Sequence, residues 1–264
     1  MIRPSCRDTF VTKIKHLGHD YHSLILGSYP GAKHCKPGHF VHLQLPHTEV
    51  LFRRAFSVAS VSPEKQQLEV IFKVVGRITG QMSDLHPGNS VNILGPLGKP
   101  FTLPQKSATT VMVAGGVGVP PLMFMAEQMV LRGFDPAKIM FFYGGRSSDD
   151  IIGRGRIKKM KVRFFPITED GSFGRKGLVT EPVEELLQAQ QNSQIRLYAC
   201  GPEGMLKAVN DLGLKYDIPG ELSLEAPMPC GIGVCLGCVV PLTKGGHARV
   251  CADGPVFQIG EVAL

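Results

Sequence analysis

The chain has 264 residues, 43% of them hydrophobic and 19% charged, which is enough apolar material for a buried core and excludes a mainly disordered chain. Its 31 glycines and 20 prolines imply frequent turns and argue against a helix bundle. The formal net charge of +7 permits an acidic partner, but the basic residues are scattered and no RNA-type aromatic motif accompanies them, so nucleic acid is not expected. No run of about 18 apolar residues occurs and the start lacks an apolar signal core, so neither a membrane span nor export is expected, and a cytoplasmic location is.

Residues 1 to about 100 hold short alternating stretches: FVTKIK, HSLILGSY, HFVHLQLP, AFSVASV, QLEVIFKVV and SVNILG. Pro-Gly and Gly-Pro pairs punctuate them. Six short strands with one brief helix near Thr79–Leu85 predict a small antiparallel barrel. Seven of the nine histidines lie between His16 and His47. His16, His19 and His22 flank a turn at Gly18, so they are expected to point to different sides and not to hold a metal. On a strand of the barrel lies Arg54-Ala55-Phe56-Ser57; an arginine in an apolar strand is costly unless it meets an anion or a carboxylate.

From about residue 107 the rhythm changes. TTVMVAGG is a buried strand ending in glycines, and PPLMFMAEQMVLRG opens with Pro and closes with Gly, as a helix does. KIMFFYGG, KVRFFPITED, EPVEELLQAQQ, QIRLYACG, GPEGMLKAVNDLG and GELSLE continue the alternation. This pattern predicts a doubly wound parallel sheet with helices on both faces. Met123, Met125 and Met129 read as helix packing. The densest basic stretch, Arg156, Lys158, Lys159, Lys161 and Arg163, reads as a solvated helix end. The loop Gly115-Gly116-Val117-Gly118-Val119-Pro120-Pro121 follows a strand and opens a helix, where backbone N–H groups can hold a pyrophosphate, although a plain tight turn reads the same way. Cys200-Gly201 stands at a second strand end, where ligands of parallel sheets bind and where a small buried cysteine is also ordinary.

The remaining residues carry four of the seven cysteines. An odd total argues against a disulfide framework, and a segment this short needs a staple. Cys230, Cys235, Cys238 and Cys251 have the C-x4-C-x2-C…C spacing of plant-type 2Fe–2S ligation, with Gly231, Gly233 and Gly237 permitting the tight loop. A structural zinc site is the alternative, though zinc more often uses two C-x2-C knuckles. Either way the cysteines are ligands.

Taken together, the order of these segments resembles a ferredoxin-reductase-type flavoprotein, and more closely the electron-transfer subunits of type B dihydroorotate dehydrogenases. LEAPMPCGIGVCLGCVV and VCADGPVF carry the resemblance most specifically, with TEDGSFGRKGLVT and YACGPEGML adding to it, and it covers nearly the whole chain. It implies an FAD-binding barrel over residues 1–102, an NAD-binding α/β domain over 103–225 and a 2Fe–2S domain over 226–264. It implies that Arg54 meets the flavin pyrophosphate and that Ser57 lies near the flavin ring, with Ala55 and Phe56 between them. Ile71, Phe72 and Lys73 match a further flavin-binding strand. Gly76, Ile78 and Thr79 match a phosphate turn in which Ile78 stands where the family has glycine. Nicotinamide contacts are implied at Gly115, Gly116, Gly118, Pro120, Gly144, Thr168, Asp170, Cys200 and Gly201, with Cys200 and Ser57 as the catalytic pair.

The resemblance further implies a partner: an FMN-bearing catalytic subunit that oxidises dihydroorotate, in an assembly of two copies of each subunit, with NAD⁺ as the acceptor. Related subunits of NADP-ferredoxin oxidoreductases and sulfhydrogenases are the nearer alternative. A zinc-stabilised binding module without turnover is the distant one.

Overall fold

The computed structural model describes residues 4–46, 48–189 and 194–264. The first strands, β1 (Ser5–Gly18) and β2 (Tyr21–Gly27), form a hairpin. Its register sets His16 opposite His22, and their rings meet edge to face with centroids 5.0 Å apart. These two histidines therefore share a face, contrary to the expectation from the turn, because directly opposed residues of an antiparallel pair project to the same side. Phe72 stacks on His22 at 5.6 Å, so the pair packs against the barrel wall. His47 lies outside the described residues.

Next come β3 (Phe40–Gln44), β4 (Arg54–Ser62), β5 (Gln67–Lys73), α1 (Arg77–Ser83) and β6 (Ser90–Leu97). The six strands close into a barrel in the order β1-β2-β5-β4-β3-β6, with every pair antiparallel. The period-2 alternation turns Leu24, Val41, Val58, Val70 and Ile93 inward, all of them buried. The brief helix starts earlier than its residue pattern suggests. The Thr79 hydroxyl oxygen accepts from the backbone N–H groups of Val75 (2.9 Å) and Gly76 (3.1 Å), which caps the turn ahead of it.

The second half runs β7 (Thr109–Gly115), α2 (Val119–Leu131), β8 (Ile139–Gly145), α3 (Arg154–Lys159), β9 (Arg163–Thr168), β10 (Arg175–Lys176), α4 (Thr180–Ala189), β11 (Ile195–Cys200), α5 (Glu203–Lys215) and β12 (Gly220–Ser223). β9, β8, β7, β11 and β12 form the parallel core of the sheet. Alternate residues of β7 serve opposite faces: Val111 and Val113 join the cluster under α4 and α5, while Met112 and Ala114 join the one under α2 and α3. Met123, Met125 and Met129 are buried in the latter, as packing residues.

The C-terminal segment adds β13 (Val239–Pro241), β14 (His247–Arg249) and β15 (Val256–Gln258). It does not rest on its cysteines alone. β15 pairs antiparallel with β12 at the edge of the large sheet, and Cys238, Val250 and Phe257 share a core with Leu206 and Val209 of α5.

Barrel and sheet are joined at several points. Phe124 of α2 lies in the barrel's own core cluster. Arg156 of α3 reaches Glu69 of β5 at 2.9 Å, the backbone oxygen of Ala59 at 2.8 Å, and both carboxylate oxygens of Glu127. The solvated-end reading is thus corrected for Arg156, whose guanidinium fills a polar slot between the two halves. It holds for Lys158 and Lys159 at the end of α3; Lys161 and Arg163 are also exposed but lie beyond the helix, Arg163 opening β9.

Candidate functional site

Between the barrel and the carboxyl ends of the parallel strands lies a cavity of about 470 Å³. β4 supplies Arg54, Ala55, Phe56 and Ser57 to its wall, and β5 supplies Ile71, Phe72 and Lys73. The turn into α1 supplies Gly76, Ile78 and Thr79, α2 contributes Pro120 and the end of β11 contributes Cys200. Antiparallel pairing of β4 with β5 brings the two sequence-distant motifs side by side. Arg54 is exposed at the mouth, so the cost of a buried cation does not arise. Its Nη1 donates to the backbone oxygens of Phe52 (2.9 Å) and Arg53 (3.3 Å), which holds the guanidinium near the rim. Ile78 sits in the right-handed backbone of α1 and is not among the residues of positive φ, so this turn does not require glycine there.

A second cavity, of about 660 Å³, opens on the other side of Lys73, Val75 and Val117, which line both. Gly115, Gly116 and Gly144 form part of its wall. Gly118 and Gly201 stand behind that wall, where backbones nearly touch: a Cβ on Gly118 would lie 2.5 Å from the carbonyl oxygen of Cys200. Thr168 and Asp170 are not in the lining. Thr168 is fully buried, its hydroxyl accepting from the Phe173 N–H and donating to the Phe173 carbonyl, while Asp170 closes an exposed turn by accepting from Ser172. Both shape the loop that carries Gly177 and Thr180, which do line the cavity.

Cys200 is 2% exposed, and burial pushes its thiol far above the ordinary range. It presents a neutral S–H to the first cavity. Sequence reasoning passed over Asp150, which stands in the second cavity. Its carboxylate accepts from the Tyr21 hydroxyl (2.8 Å), the Lys73 ammonium (3.1 Å) and the Arg146 N–H (3.1 Å). Burial pushes this carboxyl up, but those hydrogen bonds outweigh it and the net shift is downward. Asp150 lies five residues beyond Gly145, the end of β8, on a short 3₁₀ turn.

The cysteine loop begins at the same place. Leu224, Glu225 and Met228 line the first cavity, and Cys230 follows two residues after Met228. The four thiols gather two by two. The Cys235 N–H donates to the Cys230 sulfur at 3.5 Å, and the sulfurs of Cys238 and Cys251 are 3.3 Å apart. Among the described residues no three ligating side chains close round a single ion centre. Two pairs of thiols in a loop rich in amide donors fit a two-iron group. Burial works against ionisation of Cys230, yet amides of Cys235, Ile232 and Val234 bring it down to about 6. All seven cysteines are free of disulfides, and Cys235 is exposed.

Three family models match the chain: an oxidoreductase FAD-binding domain over residues 9–101, an oxidoreductase NAD-binding domain over 112–211, and the iron–sulfur cluster binding domain of dihydroorotate dehydrogenase B over 225–263. The chain is 36% identical to a Desulforamulus reducens protein over 86% of both chains. It is 35% identical to one from Fusobacterium nucleatum over 98% of this chain and 94% of that one. Both are named dihydroorotate dehydrogenase B (NAD⁺), electron transfer subunit. Among solved structures, a chain of the NADH-dependent reduced ferredoxin-NADP oxidoreductase superposes with a TM-score of 0.85 at 27% identity, covering 97% of this chain and 89% of that one. The ferredoxin reductase of carbazole 1,9a-dioxygenase shares the fold, with a TM-score of 0.72 at 23% identity over 82% of this chain and 67% of that one.

Proposed function

The chain belongs to the family of dihydroorotate dehydrogenase B electron transfer subunits, and from that premise we propose how its residues divide the work and what it docks with. It is an NAD-dependent oxidoreductase subunit with FAD, NAD and iron–sulfur domains, and it passes electrons to NAD⁺. The observation that carries the residue assignment is spatial. The two cavities share a wall, and the cysteine loop leaves the far side of the first one, so the three sites stand in series. That series supports our assignment of Cys230, Cys235, Cys238 and Cys251 as the ligands of the 2Fe–2S cluster, and our division of the chain into barrel (1–102), nucleotide (103–225) and cluster (226–264) domains.

When bound, FAD exchanges electron pairs with a nicotinamide and single electrons with an iron–sulfur cluster, which is why it belongs in the middle site. Arg54 at the rim offers its remaining guanidinium N–H groups to a pyrophosphate. Ser57, in mid-strand, offers a hydroxyl to a flavin ring edge. Cys200 and Pro120 line the first cavity with groups that stay uncharged, which would keep water and stray protons out where a flavin and a nicotinamide meet. Gly115, Gly116 and Gly144 let the dinucleotide lie against backbone. Lys73, held by Asp150, lines both cavities and would stand between their ligands.

The family's name implies a catalytic partner subunit, and we assign it the FMN and the dihydroorotate chemistry, with two copies of each subunit in a cytoplasmic assembly. Exposed Ile232, Val234 and Leu236 around Cys235 form the apolar face it covers. The relation to ferredoxin-NADP oxidoreductase, at 27% identity, is weaker than that to the named relatives. The test is an absorption spectrum of anaerobically purified protein with flavin and metal analysis of the same sample. About one FAD and two irons per chain are expected. A colourless protein with one zinc would overturn the reading.

A further inference from the structure

His42 is the third residue of β3, inside the barrel wall, and it is completely buried. Neither ring nitrogen has a hydrogen-bond partner among the described residues. An imidazole carries at least one N–H in either charge state, and leaving it unpaired in a dry interior is costly. An apolar side chain of similar size would fill the place without that cost. The ring does not pack against barrel residues alone. Its Nδ1–Cε1–Nε2 edge faces the cysteine loop: a Cβ on Gly231 would lie 2.6 Å from Cε1 and 2.9 Å from each nitrogen. Gly231 also holds φ +70°, so glycine is required twice over. The residue before it is Cys230, whose sulfur already accepts the N–H of Cys235. On the other side, β3 pairs His42 with Ala55 of the flavin-side motif on β4.

We propose that His42 donates its N–H to a sulfur of the iron–sulfur group held by Cys230, Cys235, Cys238 and Cys251, and is a positioning residue that tunes this group from the barrel side. The proposal rests on the reading of those cysteines as cluster ligands. The chemistry is that of a buried donor in search of an acceptor, and thiolate and sulfide sulfurs are the acceptors such a loop collects. A hydrogen bond to sulfur relieves negative charge, so it favours the reduced form, which carries one electron more. It also ties the cluster loop to the strand that lines the flavin cavity.

The test uses the whole protein, with iron and sulfide restored where needed, labelled with ¹⁵N in histidine only. Pulsed EPR on the reduced cluster is expected to show a ¹⁵N coupling that persists in His247→Asn, on the exposed β14 strand, and vanishes in His42→Gln. In His42→Leu the ratio of reduced to oxidised cluster at a fixed solution potential should fall by about tenfold, the size of one hydrogen bond to a charged group. His42→Gln, which keeps a donor, should recover most of that ratio. A normal EPR signal without ¹⁵N coupling overturns the role of His42 and leaves the cluster reading intact. If the variants fail to fold, the coupling in wild type and His247→Asn still decides. No 2Fe–2S signal after reconstitution and reduction overturns both.

Discussion

Arg156 of the nucleotide half and Glu69 of the barrel meet at 2.9 Å in a slot where both side chains are mostly buried. The guanidinium also pairs with Glu127 on α2 and donates to the Ala59 carbonyl, so one cation serves two carboxylates and a main-chain oxygen. Glu69 in turn accepts from Ser60 at 2.8 Å and from Ser23, which ties three barrel strands to the same point. Both cavities are lined by residues of the two halves together, so this clasp helps to hold their walls in place.

Replacing Arg156 with Met should leave two carboxylates facing each other without a cation. Breaking a paired charge of this kind costs several kcal/mol when dry, and partial exposure reduces that to about 2 kcal/mol here. Arg156→Lys should recover little, because an ammonium cannot make the forked contact with Glu127 and still reach Ala59. Thermal unfolding of the three proteins checks this; equal melting temperatures would show that Phe124 and its neighbours hold the halves together unaided.

What could be read from the residue pattern and what could not follows from how local each signal is. The spacing of Cys230, Cys235, Cys238 and Cys251 is written within one short loop and a return strand, and the Arg54–Ser57 motif lies on a single strand. The roles of Asp150, Arg156 and His42 depend on packing between segments far apart in the chain. Asp150 meets Lys73 across 77 positions, and His42 meets Gly231 from the opposite end of the molecule. The facing of His16 and His22 depended on strand register, and that of Thr168 on how the turn at Phe173 closes, neither of which composition discloses.

Gly118 has ordinary backbone angles, φ −74° and ψ −2°, so alanine there meets no torsional strain. What it meets is the backbone of Cys200, with the carbonyl oxygen 2.5 Å and the carbonyl carbon 2.6 Å from an added Cβ. Gly118→Ala should therefore push the β7 loop away from the end of β11 and widen the nicotinamide site. About a tenfold loss in kcat/KM for NADH-driven dye reduction is expected, or ~1.4 kcal/mol, with FAD content unchanged. An unaltered kcat/KM would mean that the two strand ends do not jointly position the nicotinamide.

His39 gives the fold a pH limb. It is 5% exposed, its Nδ1 accepts the Lys36 N–H at 3.1 Å, and burial, aided by the Lys36 charge, lowers it to about 4. In the unfolded chain the ring titrates near 6.5, so that state takes up the proton first. Stability from this group is complete above about pH 6.5 and drains away as the pH falls toward 4, on the order of 3 kcal/mol in all. Urea titrations between pH 7 and 4.5 should show the decline. His39→Asn, which keeps an acceptor for Lys36, should remove much of that decline. An unchanged slope would show that acid stability is set elsewhere.

Cys235, as a proposed cluster ligand, gives a test that separates the two electron routes. It is the exposed member of the four cysteines, ringed by exposed Ile232, Val234 and Leu236, whereas Cys238 and Cys251 are buried in the core shared with α5. Cys235→Ser should thus perturb the loop's outer face without unpacking that core. The flavin and nicotinamide cavities do not include Cys235 in their walls. NADH-dependent reduction of a small dye, which needs only those two cavities, should survive in the variant, while NAD⁺ reduction driven through the catalytic partner subunit should fall to background. Both activities are measured on one preparation with its FAD content and melting temperature matched to wild type. Equal loss of the two would place the entry of electrons from the partner at the flavin cavity itself and remove the cluster loop from the path.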